Sequence, residues 1–384
     1  MVNGSFSLEG QYSLDSKGVL DPSFSIPESS AYYTSAVRLP GGNFVVARVF
    51  IEDNGNTSIG ELTQLRPDGS VVQSFTSSSH FRIEGYIGNL LVMADQSLIA
   101  TGSFKAIAGD YEIQNIARIL PDGTLDPSFG SAVAPRGADW TIVSSALTEN
   151  QSIVIGGGFE AVNGIRRRGL ARLLADGSFD PSFVPAMATS PVPFILIQPD
   201  DKVIVYDPEQ GRRLFRLMPD GSVDPTFSIQ ALRLGSNLLL APDGSIYASV
   251  PYLPGYQQVL RFFADGTPDQ AFNSELLNGV VYEMQWLSPN NILIFGASEE
   301  GHSWIKRMIA ADPTSLRLES SIDLTSWSVE PDATINAESG VIELETRNGE
   351  IHSRYFRLRG GVGVRLLDVI RAAGKLSFRF EQPE

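Results

Sequence analysis

Apolar positions in the first 312 residues fall in short runs, not in helical stripes. Ile153-Val154-Ile155 and Leu170-Ala171-Arg172-Leu173-Leu174 are typical: apolar and β-branched residues closed off by Gly, Pro or Asp. Such runs predict strands. Two tight turns recur between them. The first is Pro40-Gly41-Gly42, Ala94-Asp95-Gln96, Glu149-Asn150-Gln151, Pro199-Asp200-Asp201, Pro242-Asp243-Gly244 or Pro289-Asn290-Asn291. The second carries Asp-Gly, at Asp68-Gly69, Asp122-Gly123, Asp176-Gly177, Asp220-Gly221 and Asp265-Gly266. Pro pre-sets φ, Asp tolerates the next position, and Gly takes the positive φ that follows. Each unit therefore reads as a three- or four-stranded antiparallel meander.

The second turn opens a longer phrase in which Gly is followed six residues later by Phe. The pairs are Gly18/Phe24, Gly69/Phe75, Gly123/Phe129, Gly177/Phe183, Gly221/Phe227 and Gly266/Phe272. Successive Gly positions lie 51, 54, 54, 44 and 45 residues apart. A phrase recurring at that period marks a repeat architecture whose units cover one another's apolar faces. Meanders of this length are accommodated as blades around an axis, which leaves only short, protected edges. The expected fold is all-β: a β-propeller of six antiparallel blades over residues 1–312, with seven as the alternative. Strands from both chain ends are expected to close the ring.

The phrase Arg-(Leu/Ile)-x-x-Asp-Gly-x-x-Asp-Pro-Ser-Phe resembles the delta-60 repeat family of bacterial proteins, propellers of unknown function. The resemblance implies that fold and an envelope or extracellular setting, and it supplies no chemistry. Val72 departs from it in the second copy, and Gln270-Ala271 replaces Pro-Ser in the last.

Beyond Asp312 the repeat stops, and residues 313–384 form a second unit. Leu316 to Trp327 and Arg354-Tyr355-Phe356-Arg357-Leu358-Arg359 alternate with period two, as a half-exposed sheet should. This unit resembles small β-modules near the C-termini of large secreted bacterial proteins. Lys375 to Glu381 resembles the opening strand of a further such module, placed at 375–384. Apolar residues at 366, 369, 370 and 373 predict one short helix.

The chain carries a net charge of −15, which argues against nucleic acid as a partner. Its apolar runs are too short to span a bilayer as helices. The first ten residues lack the charged start and apolar core of a signal peptide. A fragment or mature form of an extracellular or cell-surface protein, monomeric in solution, is the expectation. There is no cysteine, hence no disulfide or thiolate chemistry.

Candidate chemistry is sparse. The pairs Asp122/Asp126, Asp176/Asp180, Asp220/Asp224 and Asp265/Asp269 invite a calcium reading, but lack the alternating oxygen ligands and closing Glu of an EF-hand. Carboxylates that hold their own turns explain a motif repeated in every unit. Asp126, Asp180 and Asp224 are accordingly read as structural, with Phe129, Phe183 and Phe227 as packing anchors. The three histidines, His80, His302 and His352, show no zinc spacing. There is no G-x-S-x-G elbow, and no helix is expected after Gly156-Gly157-Gly158 to cradle a phosphate. No metal, no cofactor and no catalytic residue are expected.

Both tight turns must share one end of each meander, so the longer connections share the other. These connections, near residues 52–58, 105–115, 160–169, 207–213, 251–258 and 297–304, carry Tyr111, Arg166, Arg167, Arg168, Tyr252, Tyr256, His302 and Trp304. Tyr, Trp and Arg dominate binding hot spots, and loops on rigid scaffolds hold them. The expected function is a non-catalytic binding or display scaffold for a glycan, peptide or envelope protein. The alternatives are a purely structural spacer in a long adhesin-like chain, and a propeller enzyme such as a lyase or glycosidase.

Overall fold

The computed structural model describes residues 3–4, 32–51, 58–72, 75, 80–130, 133–135, 141–186, 192, 194–207, 213–227, 229, 237–269, 272, 274, 276–288, 291–298 and 303–309. In the C-terminal part it describes the strands named below.

Six antiparallel meanders follow one another among these residues, the first two joined in one sheet through Ile59↔Glu84 and Gly60↔Ile83 and the fifth extended by the short strand Leu277–Asn278. The first is Tyr32–Arg38, Phe44–Ile51 and Ser58–Leu65; the second is Arg82–Val92, Leu98–Ala108 and Tyr111–Ile119. The third is Ser144–Leu147, Ile153–Gly156 and Leu170–Leu173; the fourth is Ile195–Ile197, Val203–Asp207 and Arg213–Leu217. The fifth is Leu238–Leu240, Ile246–Leu253 and Tyr256–Phe262; the sixth is Val280–Ser288, Asn291–Ala297 and Ser303–Ile309.

Alternate residues of a strand face opposite sides of its sheet, and here both sides are buried. In Val203–Asp207, Val203 and Val205 join Val154 and Leu170 of the third meander. Ile204 and Tyr206, one step out of phase, join Leu238 and Ile246 of the fifth. The core thus lies between meanders, which is why the runs read as continuously apolar.

The first strand of each meander packs beside the first strand of the next. Asn3–Gly4 pairs with Tyr32–Arg38 (Asn3↔Val37, Gly4↔Ala36) and also lies beside Val280–Ser288. The first and sixth meanders therefore meet at this strand, as the radial arrangement of a propeller requires.

Two expected long connections are instead tight hairpins. Gly109-Asp110 alone joins Leu98–Ala108 to Tyr111–Ile119, with Ala108 opposite Tyr111. Pro254-Gly255 alone joins Ile246–Leu253 to Tyr256–Phe262, with Leu253 opposite Tyr256. Gly109 and Gly255, at φ of 61° and 77°, supply the left-handed backbone these turns need.

In the C-terminal part, Arg317–Ser321 pairs with Ser328–Val329 and Tyr355–Arg359. A second sheet runs Ala333–Asn336, Val341–Glu345, Lys375–Glu381, Arg365–Ala372. The segment 375–381, read as the opening of a further module, pairs here with strands at 341–345 and 365–372. The helix expected around 366–373 is a strand. A register shift between Leu366 and Asp368 inserts one extra residue, so positions 366 and 369 stand only two partners apart, at Phe380 and Phe378. A bulge had imitated helical spacing.

Candidate functional site

The repeated phrase builds one local network several times over. In each Asp-Gly turn the aspartate accepts the backbone N–H and the hydroxyl of the residue two further on. The acceptors are Asp68, Asp122, Asp176, Asp220 and Asp265, with Ser70, Thr124, Ser178, Ser222 and Thr267 as donors at 2.6–3.0 Å. The hydroxyl bond, then the backbone bond, holds Asp68, Asp122, Asp176 and Asp220 below the usual carboxylate range.

The second aspartate of the phrase is buried and uses both oxygens. Oδ1 of Asp126, Asp180 and Asp224 accepts the N–H and hydroxyl of Ser128, Ser182 and Thr226 at 2.6–2.9 Å. Oδ2 faces an arginine on the preceding strand: Arg118 at 3.5 Å, Arg172 at 2.6 Å and Arg216 at 2.9 Å. Arg261 and Asp269 repeat the pair at 3.3 Å. Burial pushes the Asp180 and Asp224 carboxyls up, but the hydroxyl, backbone and arginine partners outweigh it and leave both lowered. The Arg172 and Arg216 guanidinium carbons stand 4.8 and 4.7 Å from the ring centroids of Phe183 and Phe227.

Three of these networks, those of Asp126, Asp180 and Asp224, also reach the following meander. Arg172 Nη1 donates to the Pro219 carbonyl and Arg216 Nη1 to that of Ala264, both at 2.6 Å. Val184 N donates to Asp220 O at 2.8 Å, and Gly130 N to Asp176 O at 3.1 Å. At two junctions the repeated Phe meets the next repeated Gly: a Cβ on Gly177 would lie 2.9 Å from the Phe129 ring, and one on Gly266 2.8 Å from that of Phe227, whereas Gly221 is set against the Val184 and Pro185 backbone. The first turns are joined too, with Ala94 N donating to Gln151 Oε1 at 2.7 Å and Glu149 N to Asp201 Oδ1 at 2.8 Å. Together these bonds tie the turn ends of neighbouring meanders to one another.

The arginines open the phrase read from the sequence, but their part as partners of its second aspartate was not assigned there. Arg118, Arg172, Arg216 and Arg261 each stand five residues before the repeated Gly. The copy whose aspartate is replaced, by Val72, has Gln64 at the arginine position. Partner and aspartate are lost together.

The candidate binding residues differ in how far they are engaged, and two of them, Tyr111 and Arg167, contact residues of the repeated phrase itself. Tyr111 is the first residue of its strand and half-buried, and its hydroxyl donates to Asp126 O at 3.4 Å. Burial, reinforced by the Asp126 charge, raises its pKa. Arg166 is exposed on the short strand Ile165–Arg166, opposite Ala161. The Arg167 guanidinium carbon lies 5.1 Å from the Phe179 ring centroid, and Arg168 Nη2 is 3.7 Å from Glu160 Oε1. Two of the three arginines are thus engaged within their own meander. His302 lies outside the described residues, as does the side chain of Trp304, whose backbone belongs to Ser303–Ile309.

Tyr252 and Tyr256 flank the hairpin tip of the fifth meander and are 58% and 41% exposed. Leu253 (54%), Leu276 (42%) and Val280 (45%) are exposed beside them. These five are the majority of the nine large hydrophobic residues exposed among the described ones. Tyr256 is opposite Asn278 in register, and Gly279 N donates to Gly255 O at 2.6 Å, which brings residues 276–280 against the hairpin. The last three were missed, yet residues 249–260 and 276–282 contain no charged residue. The third and fifth meanders are separated by the fourth, so Arg166 and Tyr256 belong to different sectors. Among the described residues no three His, Asp or Glu side chains are grouped to hold a metal ion, and no helix is long and apolar enough to cross a membrane.

No curated protein matches the sequence. Among solved structures, a chain of a mitotic checkpoint complex is similar at 11% identity, with a TM-score of 0.47 over 77% of this chain and 82% of that one. The C-terminal WD40 domain of Sif2 gives 11% and 0.44 over 74% and 84%, and the AfRom2 CNH domain 10% and 0.41 over 74% and 97%. A family model described as a β-propeller domain of unknown function (DUF5122) matches residues 94–129, 152–183 and 198–227, which are three of the turn-and-phrase segments described above. Radially packed antiparallel meanders and that match identify the chain as an all-β protein built on a β-propeller.

Proposed function

We propose that this chain is a non-catalytic interaction scaffold, and that it engages a protein partner through the hairpin tip of the fifth meander. The observation that carries the reading is the concentration of Tyr252, Leu253, Tyr256, Leu276 and Val280 in one exposed sector. Exposed apolar residues scattered singly need no explanation, whereas a cluster marks an interaction surface. Tyrosine favours such surfaces because it offers a large contact area with few rotatable bonds and a polar tip. The recurring carboxylates support the non-catalytic part of the reading, since their oxygens are taken up by turn N–H groups, hydroxyls and arginines. A bacterial cell-surface or secreted setting belongs to the same proposal and rests on the resemblance of the repeat phrase and the C-terminal segment.

The test is a peptide and glycan array probed with the whole chain and with a Tyr252→Ser/Tyr256→Ser variant. Saturable peptide binding that the variant loses supports the reading. Binding that survives the double substitution, or glycan binding alone, contradicts it.

A further inference from the structure

We infer that the partner of this hairpin presents apolar side chains ringed by lysine or arginine. The inference rests on the scaffold reading above and adds the chemistry of the occupant. The two segments that make the patch, residues 249–260 and 276–282, carry no charge, while the chain as a whole carries −15. The patch is therefore a neutral, apolar island in the field of an acidic molecule. Apolar contact there supplies affinity, and the surrounding field selects partners by the sign of their charge. A second copy of this chain would bring another −15 towards the first, and an anionic membrane surface would be repelled in the same way. A partner with a cationic rim meets both requirements at once.

Backbone geometry suits a fixed recognition surface. Ile246–Leu253 and Tyr256–Phe262 are paired from Ile246↔Phe262 to Leu253↔Tyr256, and Leu277–Asn278 adds to the second strand at Gln257 and Tyr256. Tyr247, at the end of these strands away from the tip, anchors them in the core with its ring 5.4 Å from Phe272 and 5.6 Å from Trp286, both near-perpendicular. The tip is thus held by strand pairing that continues up to Leu253↔Tyr256 and Tyr256↔Asn278, so little ordering cost is expected on binding.

A random peptide library displayed on phage, selected against the whole chain, tests the inference. Enriched peptides are then synthesised and titrated against wild type and the Tyr252→Ser/Tyr256→Ser variant at low and high salt. The expected result is peptides with Leu, Phe or Trp flanked by Lys or Arg. Their affinity falls at least about tenfold in the variant, and falls with added salt as screened charge attraction requires. Peptides that depend on the two tyrosines but are acidic or uncharged overturn the inference and leave the scaffold reading standing. Peptides that bind the variant equally well overturn both. Failure to enrich any peptide over a blank surface, or saturable binding of wild type to vesicles of anionic lipid, overturns the inference.

Discussion

The α-carbon of Gly177 is set against the ring of Phe129, one repeat earlier in the chain, so closely that a Cβ there would approach the ring to 2.9 Å. Gly177 and Phe129, like Gly266 and Phe227, are therefore mates across the junction between meanders. Gly177 also sits at φ +84°, where a side chain is strained by its own backbone. Gly164, at φ +75° with nothing within 4 Å of its missing Cβ, isolates the second effect from the first. Gly164→Ala is expected to cost about 1 kcal/mol and Gly177→Ala distinctly more. In a double-mutant cycle by urea denaturation, Phe129→Leu with Gly177→Ala should show a coupling of roughly 0.5–3 kcal/mol.

The arginine–aspartate pairs make a second expectation. Arg216 and Asp224 are each 8% exposed and 2.9 Å apart. Removing the arginine leaves a buried carboxylate short of its counter-ion, so Arg216→Gln should destabilise by about 3–5 kcal/mol. Adding Asp224→Val reproduces the Gln64/Val72 combination of the first meander. The double variant should recover part of the loss, and its denaturation midpoint should lie above that of Arg216→Gln.

Acid should loosen these junctions in a definite direction. Asp180 and Asp224 have lowered pKa values in the folded protein, so their stabilisation is present above the unfolded value of about 3.9. It is lost as pH falls through that value towards the folded pKa. Urea midpoints measured from pH 6 down to pH 3 should fall, and they should fall less steeply in an Asp180→Asn/Asp224→Asn variant than in wild type.

Gln151 holds a left-handed conformation, φ +66°, at the position where Gly42 and Gly244 take their turns. Its side chain accepts the Ala94 N–H across the junction, which offsets the backbone cost. Gln151→Gly loses the bond and relieves the strain, whereas Gln151→Ala loses the bond and keeps the strain. The alanine variant should be the less stable of the two by about 1 kcal/mol, read from thermal or chemical melts.

Much of the architecture was legible because turn chemistry and strand runs are local. Pro-Asp-Gly turns fix hairpins, and the period of the phrase fixes the unit. The reach of the phrase was not legible, since Gly177 and Phe129 are 48 residues apart and their contact exists only once neighbouring meanders pack. Register also hid from the sequence. The shift between Leu366 and Asp368 gives that strand the apolar spacing of a short helix, and the shift itself is invisible in the sequence. The candidate site was partly legible. Tyr252 and Tyr256 were noticed as aromatic, but Val280 joins them through the Gly279–Gly255 hydrogen bond, which no spacing rule anticipates. Conversely, Arg167 and Arg168 looked available and are engaged by Phe179 and Glu160.

The most direct test of the account is calorimetric titration of an array-selected peptide into wild type, Tyr252→Ser/Tyr256→Ser and Arg166→Ala at several temperatures. Burial of the apolar hairpin surface should give a negative heat-capacity change in wild type. Arg166→Ala should keep affinity and heat-capacity change, and the double tyrosine variant should lose both. Equal binding by the tyrosine variant, or loss of binding in Arg166→Ala alone, would contradict the account.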